Sequence, residues 1–179
     1  MMKQIVLTGT GGQGLILAGI ILAEAAVLDG KQAIQTQSYG PEARGGSSKA
    51  EVIISDEAID YPKVQKADIL LAMSQESFNK YGNTIGAEAS LVVDSTFVRE
   101  LSETKAKIVA LPITKAAKDE LGRDMFAIII ALGAIVGLTQ TVSQASLIAA
   151  VLARVPKGTE AKNQKAIEIG FQLAKEAKQ

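Results

Sequence analysis

The chain has 179 residues, 47% of them hydrophobic and 4% aromatic, which suits one domain with an aliphatic core. Lysine and arginine together number 19, as do aspartate and glutamate, and this balance favours neither nucleic acid nor an anionic membrane as the main partner. The absence of cysteine and histidine excludes disulfides, thiolate-bound iron–sulfur clusters, a thiolate nucleophile and a histidine base. The first residues carry no signal-peptide pattern, so we expect a cytoplasmic protein.

Strands and helices are predicted to alternate along the chain. Short apolar or β-branched runs predict strands at residues 4–8, 31–37, 49–54, 69–73, 91–94 and 107–111. Helical patterns are predicted at residues 15–28, 75–81, 114–121, 124–138, 143–154 and 159–178, with Thr114 and Ser143 as N-caps. The uncharged run from Met125 to Leu138 falls short of the about 20 residues that span a bilayer, so it is interpreted as a buried helix.

Continuous apolar strands alternating with helices predict an α/β fold. We expect a three-layer, Rossmann-like and mostly parallel sheet, with a helical C-terminal third that packs against it. No linker or internal repeat divides the sequence, so residues 1–179 are predicted to form a single domain.

A glycine loop stands directly between the first strand and the first helix. It consists of Gly9, Gly11, Gly12, Gln13 and Gly14, in the spacing that lets backbone amides approach a phosphate. A dinucleotide site also needs an acidic residue about 20 positions further on, and residues 33–37 contain none. The loop therefore predicts binding of another anionic group, or a purely structural turn.

A second glycine-rich loop follows the second strand. Its candidate site residues are Tyr39, Glu42, Arg44, Gly45 and Gly46. An arginine beside a glutamate can bind a carboxylate or phosphate, or form an exposed ion pair in an ordinary surface turn. Because the loops follow successive strands, we expect both at the same edge of the sheet.

Together the two loops resemble the gamma subunit of 2-oxoacid:ferredoxin oxidoreductases. That family carries a G-x-G-G-Q-G loop and an S-Y-G-P-E-x-R-G-G stretch, matched here over residues 9–14 and 38–46. Similar features elsewhere are Ile59-Asp60-Tyr61-Pro62, Ala131-Leu132-Gly133-Ala134, and the spacing of Asn163, Ala166 and Gly170. The second loop is closer to that of 2-oxoglutarate enzymes than to that of pyruvate enzymes. Oxoisovalerate and indolepyruvate enzymes remain alternatives.

The resemblance implies a non-redox subunit of a heteromeric enzyme. The complex converts a 2-oxoacid, CoA and two oxidised ferredoxins to an acyl-CoA, CO2 and two reduced ferredoxins. Thiamine diphosphate, Mg2+ and iron–sulfur clusters are expected in alpha, beta and ferredoxin-like delta subunits, with no cofactor bound by this chain. The two signature loops are the expected contacts with CoA, with the active-site edge or with partner subunits. No residue of this chain is expected to be catalytic or to bind a metal, and the isolated chain is expected to be inactive.

One departure and two rival functions qualify this interpretation. Family members often carry an asparagine near Ile128, where this chain has three isoleucines. The rivals are a free-standing nucleotide-binding oxidoreductase and an assembly subunit that contacts no ligand. The helices at 15–28 and 124–138 are apolar on nearly every side, which predicts either cover by a partner or a central place in the core. Whether the isolated chain forms a homodimer is left open.

Overall fold

The computed structural model describes residues 1–39 and 46–179, and over these ranges the chain forms six strands, six α-helices and one 3-10 turn. The strands are β1 (Met2–Thr10), β2 (Gln32–Tyr39), β3 (Ser47–Ser55), β4 (Ile69–Ala72), β5 (Ser90–Asp94) and β6 (Lys107–Leu111). The helices are α1 (Leu15–Leu28), α2 (Gln75–Tyr81), α3 (Ile113–Leu121), α4 (Ala127–Thr139), α5 (Gln144–Arg154) and α6 (Glu160–Ala177).

All six strands belong to one sheet in the order β2-β3-β1-β4-β5-β6. The pairs β1–β4, β4–β5 and β5–β6 are parallel, whereas β3 is antiparallel to both β1 and β2. Five strands therefore run in one direction and β3 alone opposes them, which confirms the mostly parallel sheet. Because β2 and β1 share a direction, their carboxyl ends lie at the same edge.

The sheet is covered on both faces, which confirms the three-layer α/β fold. Alternate side chains of β1 point to opposite faces, as the pleat of a strand requires. Ile5 and Leu7 enter a large cluster with α1, α3, α4, α5 and α6. Val6 enters a smaller cluster with Phe78 of α2. The helical C-terminal third thus packs on the same face as α1.

Helix α4 is apolar all round because the chain itself surrounds it. Every residue from 127 to 136 is buried. Its contact with α6 is close because small residues meet there: a Cβ at Gly137 would lie 2.7 Å from the Cβ of Ala174, and a Cβ at Gly170 would lie 2.2 Å from the Ile130 carbonyl oxygen. No partner is needed to explain this helix. Helix α1 differs, since Val27 and Leu28 near its end are exposed.

Polar contacts join α1 to α5. Asp29, which follows α1, accepts hydrogen bonds from the Ser143 N–H at 2.6 Å, the Ser143 hydroxyl at 2.7 Å and the Ser146 hydroxyl at 2.6 Å. Burial alone raises the pKa of Asp29, but these hydrogen bonds and the nearby Lys31 charge lower it below its usual value. The ionised carboxylate therefore holds the first residues of α5 in place, where the helix dipole favours a negative charge, and joins them to the end of α1.

The predicted elements are all present, with two local corrections. Thr114 does not cap α3: Pro112 takes the N-cap position, and Thr114 is the second helical residue. Residues 124–126 form a 3-10 turn rather than the start of α4. The predicted cap at Ser143 is confirmed, since its hydroxyl accepts from the Ser146 N–H.

Candidate functional site

The glycine loop lies where the chain connections diverge to opposite faces of the sheet. After β1 the chain enters α1 on the face of the large cluster, whereas after the neighbouring parallel strand β4 it enters α2 on the other face. Connections that diverge in this way leave a crevice at the carboxyl ends of the two strands, and ligands of open α/β sheets bind in such crevices. The fold therefore places the loop at the usual position of an α/β site.

The loop's conformation requires glycine at two positions in particular. Gly12 has a φ of 88° and Gly14 a φ of 84°, the left-handed region that other residues rarely adopt. Gly14 is the N-cap of α1, and within the described part of the chain no side chain caps this helix end. No capping side chain of a described residue therefore accepts hydrogen bonds from the backbone amides at the start of α1. This arrangement suits a loop whose amides bind a group of another molecule.

The side chain of Gln13 points into the protein rather than towards a ligand. Its Oε1 accepts a hydrogen bond from the Thr10 N–H at 2.7 Å, and its Nε2 donates to the Met73 carbonyl oxygen at 3.1 Å. A Cβ at Gly9 would lie 2.2 Å from that Oε1, so glycine at position 9 leaves room for the Gln13 amide. Gly9 and Gln13 therefore serve the shape of the loop, and a direct ligand contact by the Gln13 amide would require breaking these bonds.

The two signature loops meet at their anchors. The Gly11 N–H donates to the Gly46 carbonyl oxygen at 2.9 Å, and β2 ends with Tyr39 at the same edge of the sheet. The expectation that both loops share one edge is confirmed for Gly11, for Gly46 and for the end of β2. Glu42, Arg44 and Gly45 lie outside the described residues, as does the side chain of Tyr39. Their roles stay predictions.

A cavity of about 300 Å³ opens beside the glycine loop. Its walls come from the ends of four parallel strands and the start of α4: Gly12, Gln13, Gly14, Leu17, Met73, Phe97, Thr114, Asp124, Met125, Ala127 and Ile128. Three of these side chains are large, apolar and well exposed, with Leu17 at 38%, Phe97 at 44% and Met125 at 54%. Exposed apolar side chains around one opening are typical of a surface that another molecule covers.

The cavity carries little charge, although polar groups form part of its lining. Among the described residues that line it, none is a lysine or arginine, and Asp124 is the one carboxylate. Ile128 contributes a methyl group 3.2 Å from where a Cβ of Gly14 would stand. Any anion bound here would depend on backbone amides and on cations from outside the lining. Phe97 and Met125 were not among the predicted site residues, because an apolar residue in a loop or turn carries no sequence signal for ligand or partner binding.

A buried carboxylate supports the wall of the cavity at the ends of β5 and β6. Asp94 is fully buried and accepts hydrogen bonds from the Thr114 hydroxyl at 2.5 Å, from the Thr114 N–H at 3.3 Å and from the Thr96 N–H at 3.1 Å. It sits at the N-terminus of α3, where the helix dipole favours a negative charge. Asp94 is thus satisfied by structural partners, and it holds Thr114 in place.

The sheet order argues further against a dinucleotide site. In dinucleotide-binding domains the second strand lies beside the first and ends in the acidic residue that binds a ribose. Here β3 separates β2 from β1, so the end of β2 is displaced by two strand spacings, about 10 Å, from the end of β1. The stretch Gln32–Tyr39 also contains no acidic residue.

The described residues show neither an acidic metal-binding cluster nor a membrane-spanning helix. Among residues 1–39 and 46–179, no cluster of three or more aspartate or glutamate side chains is arranged to hold a metal ion. In the same part of the chain, no helix has the length and hydropathy required to cross a bilayer.

Comparison with known proteins identifies relatives among the oxoacid oxidoreductases. The family model described as pyruvate ferredoxin/flavodoxin oxidoreductase matches residues 4–173. The chain is 49% identical to 2-oxoglutarate synthase subunit KorC of Methanocaldococcus jannaschii, over 98% of this chain and 96% of that protein. It is 45% identical to the subunit of the same name from Methanothermobacter marburgensis, over 98% of each. The crystal structure of the keto/oxoacid ferredoxin oxidoreductase gamma subunit from Geobacter sulfurreducens has a TM-score of 0.88 and 47% identity, covering 97% of this chain and 99% of that one.

Proposed function

Because the chain belongs to the pyruvate ferredoxin/flavodoxin oxidoreductase family, we propose that it is the gamma subunit of a 2-oxoglutarate:ferredoxin oxidoreductase. The complex converts 2-oxoglutarate, CoA and two oxidised ferredoxins to succinyl-CoA, CO2 and two reduced ferredoxins. The observation that carries the proposal is the 49% identity to a 2-oxoglutarate synthase subunit along nearly the full length of both chains. Such a match supports the same role in the same kind of complex.

Within this proposal the chain is a non-redox subunit. Iron–sulfur clusters are held mainly by cysteine thiolates, and this sequence has neither cysteine nor histidine. The iron–sulfur clusters are therefore assigned to other subunits, and the proposal also assigns thiamine diphosphate and Mg2+ to alpha, beta and ferredoxin-like delta subunits, with free ferredoxin as the electron acceptor. The complex is placed in the cytoplasm, and residues 1–179 act as one domain of it.

The edge of the sheet that carries both signature loops is the surface proposed to face the catalytic subunits. Three features support this assignment. The loops are joined by the Gly11–Gly46 hydrogen bond, a cavity opens beside them, and exposed apolar side chains surround its mouth. A surface of this kind suits a position next to the CoA or thiamine site of a neighbouring subunit.

Reconstitution tests the function. The chain is combined with its partner subunits, and reduction of a low-potential acceptor is followed with 2-oxoglutarate, pyruvate and 2-oxoisovalerate. The full complex is expected to require CoA and to favour 2-oxoglutarate, and omission of this chain is expected to abolish turnover. If the isolated chain oxidised a substrate, or bound NAD(P)H saturably, the free-standing oxidoreductase would be the better interpretation.

An arginine pair tests the site. Arg44→Ala in the reconstituted complex is expected to weaken the dependence on CoA or to slow turnover, because a site arginine would lose its contact with a carboxylate or phosphate. Arg154→Ala is the matched control, because Arg154 is an exposed arginine of α5 that pairs with Glu24 of α1 and lies outside the lining of the cavity. If CoA dependence and turnover are the same in both variants, the site assignment is wrong. Loss of assembly without a kinetic defect would instead favour a purely structural subunit.

A further inference from the structure

We propose that Gln13 is a positioning residue that holds the glycine loop, and through it Gly46 at the end of the second motif, in their working geometry, an inference that rests on the function proposed above. The residue does not itself contact a substrate. It acts through the backbone of the glycine loop, and through that loop on the anchor of the second motif at Gly46.

The Gln13 amide makes two hydrogen bonds with the backbone. Thr10, whose N–H donates to Oε1 at 2.7 Å, is the last residue of β1. Met73, whose carbonyl accepts from Nε2 at 3.1 Å, directly follows β4. The amide therefore bridges the carboxyl ends of two neighbouring parallel strands. This bridge needs a donor and an acceptor at the end of one side chain of this length.

Glycine at position 9 leaves space for the Gln13 amide. A Cβ on Gly9 would overlap the Gln13 Oε1 at 2.2 Å and would press on Leu15 and Met73 at 3.1 Å each. Gly9 is therefore required by Gln13 and its neighbours. This first glycine of the motif, which sequence patterns associate with phosphate binding, instead makes room for a side-chain bridge.

Hydrogen bonds also connect the segment held by Gln13 to Gly46, the last residue of the second motif. The segment whose Thr10 amide is held by Gln13 continues into Gly11, whose N–H donates to the Gly46 carbonyl oxygen at 2.9 Å. Thr10 also lies opposite Ser47 in the ladder between β1 and β3. The point at which the chain enters β3 from the second loop is thus attached to the segment that Gln13 holds. Loss of the two Gln13 hydrogen bonds would therefore loosen the glycine loop and its attachment to Gly46 together.

The test compares Gln13→Met with Gln4→Met in the reconstituted complex. Methionine keeps a side chain of similar length but cannot form either hydrogen bond. Gln4 is the matched control, since it lies near the start of β1 and its Oε1 also accepts from backbone groups, the Gln65 N–H at 2.7 Å and the Lys66 N–H at 3.3 Å, at the opposite edge of the sheet. For both variants we would measure kcat, the Michaelis constants for CoA and for the oxoacid substrate, and amide hydrogen exchange over residues 8–14.

The expected result is specific to Gln13. Gln13→Met should raise the KM for CoA at least fivefold, leave the KM for the oxoacid substrate within twofold of the wild-type value, and speed exchange at the amides of Thr10 and Gly11. Gln4→Met should leave both Michaelis constants unchanged. Gln13→Glu, which can still accept from Thr10 but places an oxygen against the Met73 carbonyl, should also raise the KM for CoA.

Two results would overturn the inference. One is faster exchange in the glycine loop with an unaltered KM for CoA. The other is failure of both Gln13 variants to assemble while Gln4→Met assembles, which would assign Gln13 a folding role only. Failure of the proposed function is distinguishable from both, because the unmodified complex would then show no CoA-dependent oxidation of 2-oxoglutarate.

Discussion

The close approach of α4 and α6 can be tested by exchanging a methyl group between the two helices. Gly137→Ala adds a Cβ 2.7 Å from the Cβ of Ala174, whereas the next neighbour, the Cα of Phe171, is at an ordinary 3.5 Å. The clash is therefore with one methyl group. Overpacking costs about 2 kcal/mol, and replacing a helical glycine by alanine returns about 1 kcal/mol. The net loss expected for Gly137→Ala is about 1 kcal/mol.

The reverse change, Ala174→Gly, is expected to cost more. It introduces a helical glycine, worth about 1 kcal/mol, and removes a buried methyl group, worth about 0.8 kcal/mol. The double variant restores one alanine and one glycine in the same space, so its free energy of unfolding should return to near the wild-type value. If the changes were independent, the double variant would lose about 3 kcal/mol, so the expected coupling between Gly137 and Ala174 is about 3 kcal/mol.

Urea denaturation followed by circular dichroism measures this cycle, with thermal midpoints as a second readout. A change of about 1 kcal/mol should move the midpoint of a chain of this size by roughly 2–4 °C. Gly86→Ala is a suitable control, because the nearest atom to an added Cβ is 3.9 Å away and the exchange should be neutral or slightly stabilising. A double variant less stable than Ala174→Gly alone would refute the packing described for these helices.

Two further changes have distinct expected signatures. Gly170→Ala should destabilise by more than about 2 kcal/mol in the same urea assay, because its Cβ would meet the Ile130 backbone carbonyl at 2.2 Å and no side chain can move to relieve it. Asp29→Asn should cost about 1–2 kcal/mol at pH 7, since it removes the charge that accepts hydrogen bonds from Ser143 and Ser146. Because folding lowers the pKa of Asp29 below 3.8, this contribution is full above about pH 4 and is lost as the pH falls through the folded value.

The controls for these two changes differ. Gly86→Ala again shows whether an unhindered glycine tolerates a methyl group, and wild-type stability in Gly170→Ala would contradict the close helix contact. For Asp29→Asn, the difference from the wild type should be constant between pH 5 and pH 8 and should shrink below about pH 4. A difference that instead grows on acidification would contradict an ionised, hydrogen-bonded Asp29.

Much of the site's location followed from the sequence, but its interior did not. The strand–glycine–helix pattern at residues 4–28 placed the loop at a sheet edge, and the two loops after successive strands predicted a shared edge that the Gly11–Gly46 bond bears out. The inward direction of Gln13 could not be inferred, because one of its two partners, the Met73 carbonyl, lies 60 residues away in the chain. Phe97 and Met125 reach the cavity only because the fold brings the loop after β5 and the 3-10 turn before α4 close to the glycine loop.

The local errors have a similar origin. Thr114 is a residue type that caps helices, so its pattern predicted a cap, yet the buried Asp94 carboxylate takes its hydroxyl as a donor and α3 begins earlier. The apolar run of α4 was compatible with either a partner or a core. The neighbouring α6 decided between them, because Gly170 lets its backbone reach the backbone of α4.

By itself the sequence determined the elements, the aliphatic core and the chemistry that the chain lacks, because periodicity and residue type act locally and a missing thiol or imidazole cannot be supplied by folding. Tertiary structure alone decided that β3 lies between β1 and β2, that Gln13 faces inward, and that a cavity opens at the loop. These features depend on contacts between segments far apart in the chain, and the pairing of distant strands brings those segments together only in the folded protein.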